Sequence, residues 1–265
     1  MRNPFEYGGV VSGEAFCNRD KETSDLVRAM DNGEKLFVFS ERRYGKTSLV
    51  RAALGKLPRK GYVCAYVDLW PTDSEATFVT SVAKAITESM STSVGKVLET
   101  AKKFFGSLSP SVTIDEEGKP ALTFGLGKHG RVGPALDEVL DTPARIAAKG
   151  GPRVVVVFDE FQQILEYGSD HVERKLRSVI QNHRQVGYLF LGSRKHLIQK
   201  MVLDRNRPLY RAGGHYVSRH GLSSASNAQR AVQALLAKDI IDRDNGSFLI
   251  TDRFLRLWIQ SAQSV

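Results

Sequence analysis

Apolar positions along the chain fall into two alternating rhythms. Between Arg19 and Asn32 they recur at helical spacing, with Leu26, Val27 and Met30 on one face and Asn32-Gly33 as a C-cap. Lys35 to Phe39 then reads as a strand, and Leu49, Val50, Ala53, Leu54 and Leu57 return to helical spacing. Tyr62 to Leu69 predicts a second strand and Glu75 to Met90 a further long helix. Strand, loop, helix, strand, helix is the rhythm of a parallel sheet with crossover helices.

The middle of the chain changes texture. Val94 to Phe105 predicts a helix that Ser109-Pro110 interrupts. Residues 111–127 alternate on both sides of Glu117-Gly118, which predicts a β-hairpin inserted at the edge of the sheet, over about 107–130. Leu136 to Ala148 returns to helix. Arg153 to Phe158 is continuous, β-branched and uncharged after its first residue, the mark of a strand buried on both faces. Val172, Leu176, Val179, Ile180 and His183 mark another helix, and Gly187 to Leu191 another central strand. From about Gly221 the pattern is helix, short hairpin, helix. Ser224 to Ala237 turns Val232, Leu235 and Leu236 inward, and Asp244-Asn245-Gly246 suits a tight turn. The sequence holds no internal repeat.

Composition narrows the class. At 265 residues and 42% hydrophobic content the chain can build a real core in one or two domains. No stretch is apolar for long enough to span a bilayer, and the first residues lack the apolar run of a secretory signal. Cys17 and Cys64 lie far apart, which predicts free thiols in a reducing compartment and a soluble cytoplasmic protein. The net charge of +9 favours polyanionic company: nucleic acid, anionic lipid or nucleotide.

Candidate chemistry begins at residues 39–50, FSERRYGKTSLV, where the first predicted strand passes into a helix. A tight loop with Gly45, Lys46 and Thr47 at a helix start is a phosphate cradle. Backbone N–H groups and the helix N-terminus face the anion, the lysine adds a mobile charge, and the hydroxyl is a ligand for Mg²⁺. Ser48 stands behind these residues, and Arg43 and Tyr44 precede them. Ser40 occupies the place of a first glycine; it is small but more restricted in φ, and Gly45 supplies the close approach. An ordinary strand-to-helix turn with solvated basic residues would read the same way locally.

The second constellation is VVVVFDEFQQI, which puts Asp159 and Glu160 at the C-terminal end of a buried strand, the edge where open α/β sheets bind ligands. Phosphoryl transfer needs one carboxylate to order Mg²⁺ and a second to orient and deprotonate water. Asp159 fits the first task and Glu160 the second. Asp159 as a helix N-cap is the structural alternative. One strand later, Ser193 or Arg194 stands where a polar group reports on a γ-phosphate, the alternative being a polar cap beside a solvated arginine.

With these pieces together the chain resembles the prokaryotic, archaeal-type AAA-like ATPases of the STAND class. The resemblance is carried by Arg42-Arg43-Tyr44-Gly45-Lys46-Thr47-Ser48-Leu49, Phe158-Asp159-Glu160-Phe161, Gly192-Ser193 and Pro208-Leu209-Tyr210. It also extends to NPFEYGGVVSGEAFCNRDKE, residues 3–22. The resemblance implies a P-loop three-layer α/β core over residues 1–211, a helical lid and a winged-helix-like segment over 212–265. It implies ATP and Mg as cofactors, with Phe16, Asn18 and Arg19 on the adenine side. Catalysis would rest on Lys46 and Glu160, with Thr47 and Asp159 on the metal.

The family pattern is broken between Tyr210 and Gly221. A final strand beside the phosphate-loop strand and a lid of several helices are expected there, and the chain has only RAGGHYVSRH, in which His215-Tyr216-Val217 offers a short edge strand at most. Base enclosure and lid-coupled switching should suffer from the deletion; Mg²⁺–phosphate contacts need not. Residues 205–265 carry nine Arg or Lys against four Asp, a surplus of five. That segment suits either nucleic acid or packing on the ATPase as a regulatory module. Three readings follow: a slow Mg-dependent ATPase acting as a switch, a nucleotide-sensing DNA-binding regulator, and a lid-deleted member without activity. Self-association or a protein partner is compatible with each.

Overall fold

The structure, a computed structural model, describes residues 19–39, 45–58, 60–90, 94–114, 120–127, 131–148, 150–217, 232–233, 235–236, 240–244 and 247–251. The chain divides into two compact units, Met1–Ser218 and Arg219–Val265.

The first unit is built on five parallel strands: β1 (Lys35–Phe39), β2 (Tyr62–Asp68), β5 (Arg153–Asp159), β6 (Val186–Gly192) and β7 (Gly214–Val217). Their order across the sheet is β2-β5-β6-β1-β7. The strand β1, which precedes the candidate phosphate loop, is thus separated from the acid-bearing β5 by β6 alone. Register fixes the ends: Phe39 lies opposite Gly192, and Asp68 opposite Asp159.

Helices cover both faces because the strands are apolar on both faces. Even-numbered residues of β5 and β6 (Val154, Val156, Phe158, Tyr188, Phe190) join Phe37 and Phe39 in the larger core. That core includes α3 (Glu75–Met90), α5 (Val132–Ala147) and α6 (His171–Ile180), together with α7 (Lys195–Leu203). Odd-numbered Val155, Val157, Leu189 and Leu191, with Val38, face α1 (Asp20–Asp31) and α2 (Lys46–Lys56). An aromatic stack stiffens the larger core: Phe190 is 4.6 Å from Phe37, 5.6 Å from Phe158 and 4.6 Å from Phe161 between ring centroids.

The expected hairpin is present as β3 (Leu108–Ile114) paired antiparallel with β4 (Pro120–Leu126). It is not on the edge of the main sheet. The two strands make a sheet of their own, which joins the larger core through Leu108, with Phe124 and Leu126 packed against that core, near α3 and α4 (Val94–Phe104). Apolar pattern alone cannot distinguish edge pairing from this separate packing. The short edge strand offered by His215-Tyr216-Val217 is present as β7, which pairs with β1 in parallel from Leu36–Gly214 to Phe39–Val217. Four residues suffice for that pairing, so the short RAGGHYVSRH stretch supplies the final strand. A boundary after residue 211 would have cut β7 from the sheet it belongs to. A 3-10 helix over Phe161–Tyr167 and the helix α7 had no distinct signature in the sequence pattern.

In the second unit the described residues include β8 (Ile241–Asp244) and β9 (Ser247–Ile250), an antiparallel pair closing at Asp244–Ser247. This is the hairpin expected around Asp244-Asn245-Gly246. Among the described residues no helix is long and apolar enough to cross a membrane.

Candidate nucleotide site at the C-terminal edge of the sheet

The candidate residues gather where β1, β5 and β6 end. Gly45 adopts φ 65°, a left-handed conformation that an L side chain enters at a cost, and caps the N-terminus of α2. Lys46 and Ser48 follow, each 6% exposed, so the lysine stem is packed in the first turn of α2 and not waving in solvent. Arg43, Tyr44 and Asn18, with Ser40, Arg42 and Phe16, lie outside the described residues. Arg19 is described: its guanidinium pairs with Glu22 in α1, and a Cβ built on Gly45 would lie 3.7 Å from its Nη1. It therefore sits beside the start of α2.

Asp159 is 7% exposed and accepts hydrogen bonds on both oxygens. Oδ1 takes the Glu160 backbone N–H at 2.9 Å. Oδ2 takes the Thr47 hydroxyl at 2.9 Å and also the Tyr66 hydroxyl. Thr47 and Asp159 are 112 residues apart, and the parallel sheet brings them together. Tyr66 was not among the expected site residues. Burial, the neighbouring Asp159 charge and its hydrogen bond push the phenol far above its ordinary value, while Arg51 stacks over its ring at 5.0 Å. Tyr66 therefore stays a donor at any physiological pH.

Glu160 is held separately. Its φ of 51° is left-handed, uncommon for a residue with a side chain, and it starts the 3-10 helix. Oε2 accepts Ser193 Oγ at 2.6 Å and Gln162 Nε2 at 2.5 Å. The N-cap alternative for Asp159 fails on this geometry: Glu160 occupies that position, and no side chain caps the 3-10 helix. Likewise Ser193 does not cap α7, whose N-cap is Arg194. Of the pair Ser193 and Arg194 only the serine reaches Glu160. Arg194 lies 3.6 Å from Glu166, exposed to water.

Gln162 is the other residue the sequence reading missed. It is 2% exposed, and its Oε1 has no partner among the described residues. Gly192 explains the fit: a Cβ there would stand 2.3 Å from Ile198 Cγ1 and 2.9 Å from Gln162 Oε1, so only glycine leaves room. Cys64, one of the two expected free thiols, is free and its thiol is pushed up to about 11 by burial, which makes it a poor nucleophile. Cys17 lies outside the described residues.

Comparison with known proteins follows this geometry. Residues 16–191 match the model of an ATPase domain found predominantly in Archaea. The chain belongs to this ATPase family. Residues 209–261 match a probable winged helix domain. Among solved structures, a Walker-type ATPase of Pyrococcus abyssi is similar at 16% identity and a TM-score of 0.50, over 91% of this chain and 67% of that one. The Aeropyrum pernix ORC2 protein, in ADPNP and ADP complexes, matches at 14% identity and a TM-score of 0.48 over 82% and 51%. ORC1 of the same organism, in complex with DNA, matches at 13% identity and 0.47 over 87% and 51%. The chain thus spans about two thirds of the first structure and about half of the other two. No curated protein sequence matches. The family match and the likeness to the Pyrococcus abyssi structure show the fold of the first part, an α/β parallel-sheet domain of the P-loop ATPase kind, and the match at 209–261 adds a winged helix domain after it.

Proposed function

We propose that this chain binds ATP with Mg²⁺ at the C-terminal edge of its sheet and hydrolyses it slowly, as a cytoplasmic switch of the STAND type. The observation that carries the reading is the Thr47–Asp159 hydrogen bond of 2.9 Å at the N-terminus of a helix opened by a left-handed glycine. A hydroxyl and a carboxylate side by side are the hard oxygen donors that Mg²⁺ takes. Among the described residues no group of three His, Cys, Asp or Glu could hold a metal, and Mg²⁺ in such sites typically rests on one carboxylate plus the substrate's own phosphates. The residues present therefore fit the ion. When bound, Mg²⁺ would neutralise phosphate charge. Lys46 adds a second positive charge near the helix N-terminus. Thr47 and Asp159 orient the cation, Glu160 takes the proton of the attacking water, and Ser193 holds the Glu160 carboxylate in place. Arg19, which lies beside Gly45, and Arg43, Tyr44, Asn18 and Ser48 complete the proposed nucleotide contacts. Arg194, paired with Glu166 in this state, would have to turn to join them.

Calorimetric titration of MgATP into the purified chain tests this, with Lys46→Ala as control. Micromolar affinity in the wild type, lost in the variant, is the expected result. Absence of heat up to millimolar ATP in folded wild type would sink the reading. Glu160→Gln should keep binding and lower turnover by about a hundredfold or more.

A second reading, DNA binding by the basic winged helix domain, is favoured by the match at 209–261 and by the surplus of positive charge there. It predicts that the full chain binds labelled duplex DNA with an affinity that falls steeply with salt. Fluorescence anisotropy at two salt concentrations decides it. Salt-insensitive or absent binding leaves the domain a packing or regulatory module.

A further inference from the structure

Tyr66 lies on the same face of the sheet as Asp159. In β2 the residues 63, 65 and 67 enter the larger core, so Tyr62, Cys64 and Tyr66 turn toward α1 and α2. In β5 Val155 and Val157 face the same way, and Asp159 continues that parity. The register places Asp68 opposite Asp159, one pleat beyond Tyr66, so the tyrosine hydroxyl reaches up the sheet to Oδ2. From the other side Thr47 reaches the same oxygen. Arg51, one turn further along α2, lies over the Tyr66 ring and holds it against the strand.

One carboxylate oxygen accepts two hydrogen bonds along its lone pairs, and Oδ2 receives two hydroxyl donors while Oδ1 receives the Glu160 N–H. A carboxylate tied at both oxygens cannot swing about its terminal bond. The orientation of the group that must meet a cation is thus set before the cation arrives, which is what outer-shell partners do in metal sites. We propose that Tyr66 is a positioning residue for the Mg²⁺ site, locking the Asp159 carboxylate through its hydroxyl while Arg51 locks the tyrosine ring. The inference rests on the MgATP reading above. Tyr66 itself touches neither nucleotide nor cation.

Tyr66→Phe deletes one oxygen and keeps the ring under Arg51, with far-UV circular dichroism and melting confirming the fold. ATP affinity is measured by calorimetry in EDTA and then across a Mg²⁺ titration, in wild type, Tyr66→Phe and Thr47→Ala. We expect metal-free ATP affinity within about twofold of wild type and a Mg²⁺ half-saturation raised about tenfold, with the direct ligand variant Thr47→Ala raised further. A Mg²⁺ half-saturation in Tyr66→Phe that equals or falls below the wild-type value overturns the inference. So does an equal loss with and without Mg²⁺, which would make Tyr66 a packing residue only. If wild type itself binds no ATP, the proposed function fails, and this outcome is seen in the wild-type titration alone.

Discussion

On the face toward α3 and α5 the strands present Phe37, Phe39, Phe158, Tyr188 and Phe190; on the face toward α1 and α2 they present Val38, Val155, Val157, Leu189 and Leu191. The first face is filled by large rings stacked at 4.6–5.6 Å around Phe190. The second uses short aliphatic side chains, which let α2 lie close to the sheet and bring its N-terminus to the strand ends. Every hydroxyl and carboxylate around Asp159 belongs to this second face: Thr47 from α2, Tyr66 from β2, Asp159 from β5. The large rings thus lie on one side of the sheet, and the residues of the proposed metal site on the other. Glu160 departs from the division, because its left-handed backbone turns the chain out of the strand and toward Ser193.

The contrast can be broken most severely from the aromatic side. Phe190→Ala should lose about 3–5 kcal/mol of stability, since a fully buried ring leaves a cavity among its neighbours. Urea unfolding measures this. Thr47→Ala should shift stability by no more than about 1 kcal/mol, the worth of one hydrogen bond, while removing a proposed metal ligand. If both variants lost stability equally, the division of labour between the faces would be wrong.

A smaller effect is expected at Gly192, the last residue of β6, beside Gln162 and Ile198. Gly192→Ala forces a methyl group against Ile198 and Gln162 and should cost about 1–3 kcal/mol. Turnover should fall more than stability if Gln162 and Ser193 hold Glu160 for catalysis. A variant as stable and as active as wild type would show that Ile198 simply moves aside.

A last effect, read only through pH, concerns Glu173, buried in α6 and paired with Arg207 beyond α7. Burial outweighs the Arg207 charge and, with Asp170 nearby adding to it, raises the carboxyl from 4.5 to about 7. A raised carboxyl favours the protonated folded form. Its contribution is therefore fully present below about pH 4.5 and is lost as pH rises through about 7. Glu173→Gln should flatten that part of the stability-versus-pH curve. Melting temperatures measured at several pH values between these limits check it, and an unchanged slope would assign the dependence to other groups.

Much of this was legible in the chain itself. The buried strand Arg153–Asp159, the glycine-lysine-threonine start of α2 and the acidic pair at the end of β5 each depend on neighbours within a few residues, so periodicity and local chemistry reveal them. The hairpin at 108–126 was legible as a hairpin but not as a separate sheet, since alternation reports two faces without naming what each face meets. Tyr66 and Gln162 were invisible as site residues for related reasons. Tyr66 reads as one more β-forming residue until the β2–β5 register sets it beside Asp159, and Gln162 until the 3-10 helix turns it back on Glu160.

The sequence by itself determined most of the strand and helix order up to β6, the glycine-lysine-threonine helix start and the two carboxylates at a strand end, because these follow from side-chain period and turn chemistry. Tertiary structure alone decided the register in which the short edge strand at 214–217 pairs with β1, that Ser193 rather than Arg194 meets Glu160, and that a tyrosine 93 residues away shares Asp159 with Thr47. Those are consequences of strand order and register, and register is a property of pairs of strands that no single strand carries.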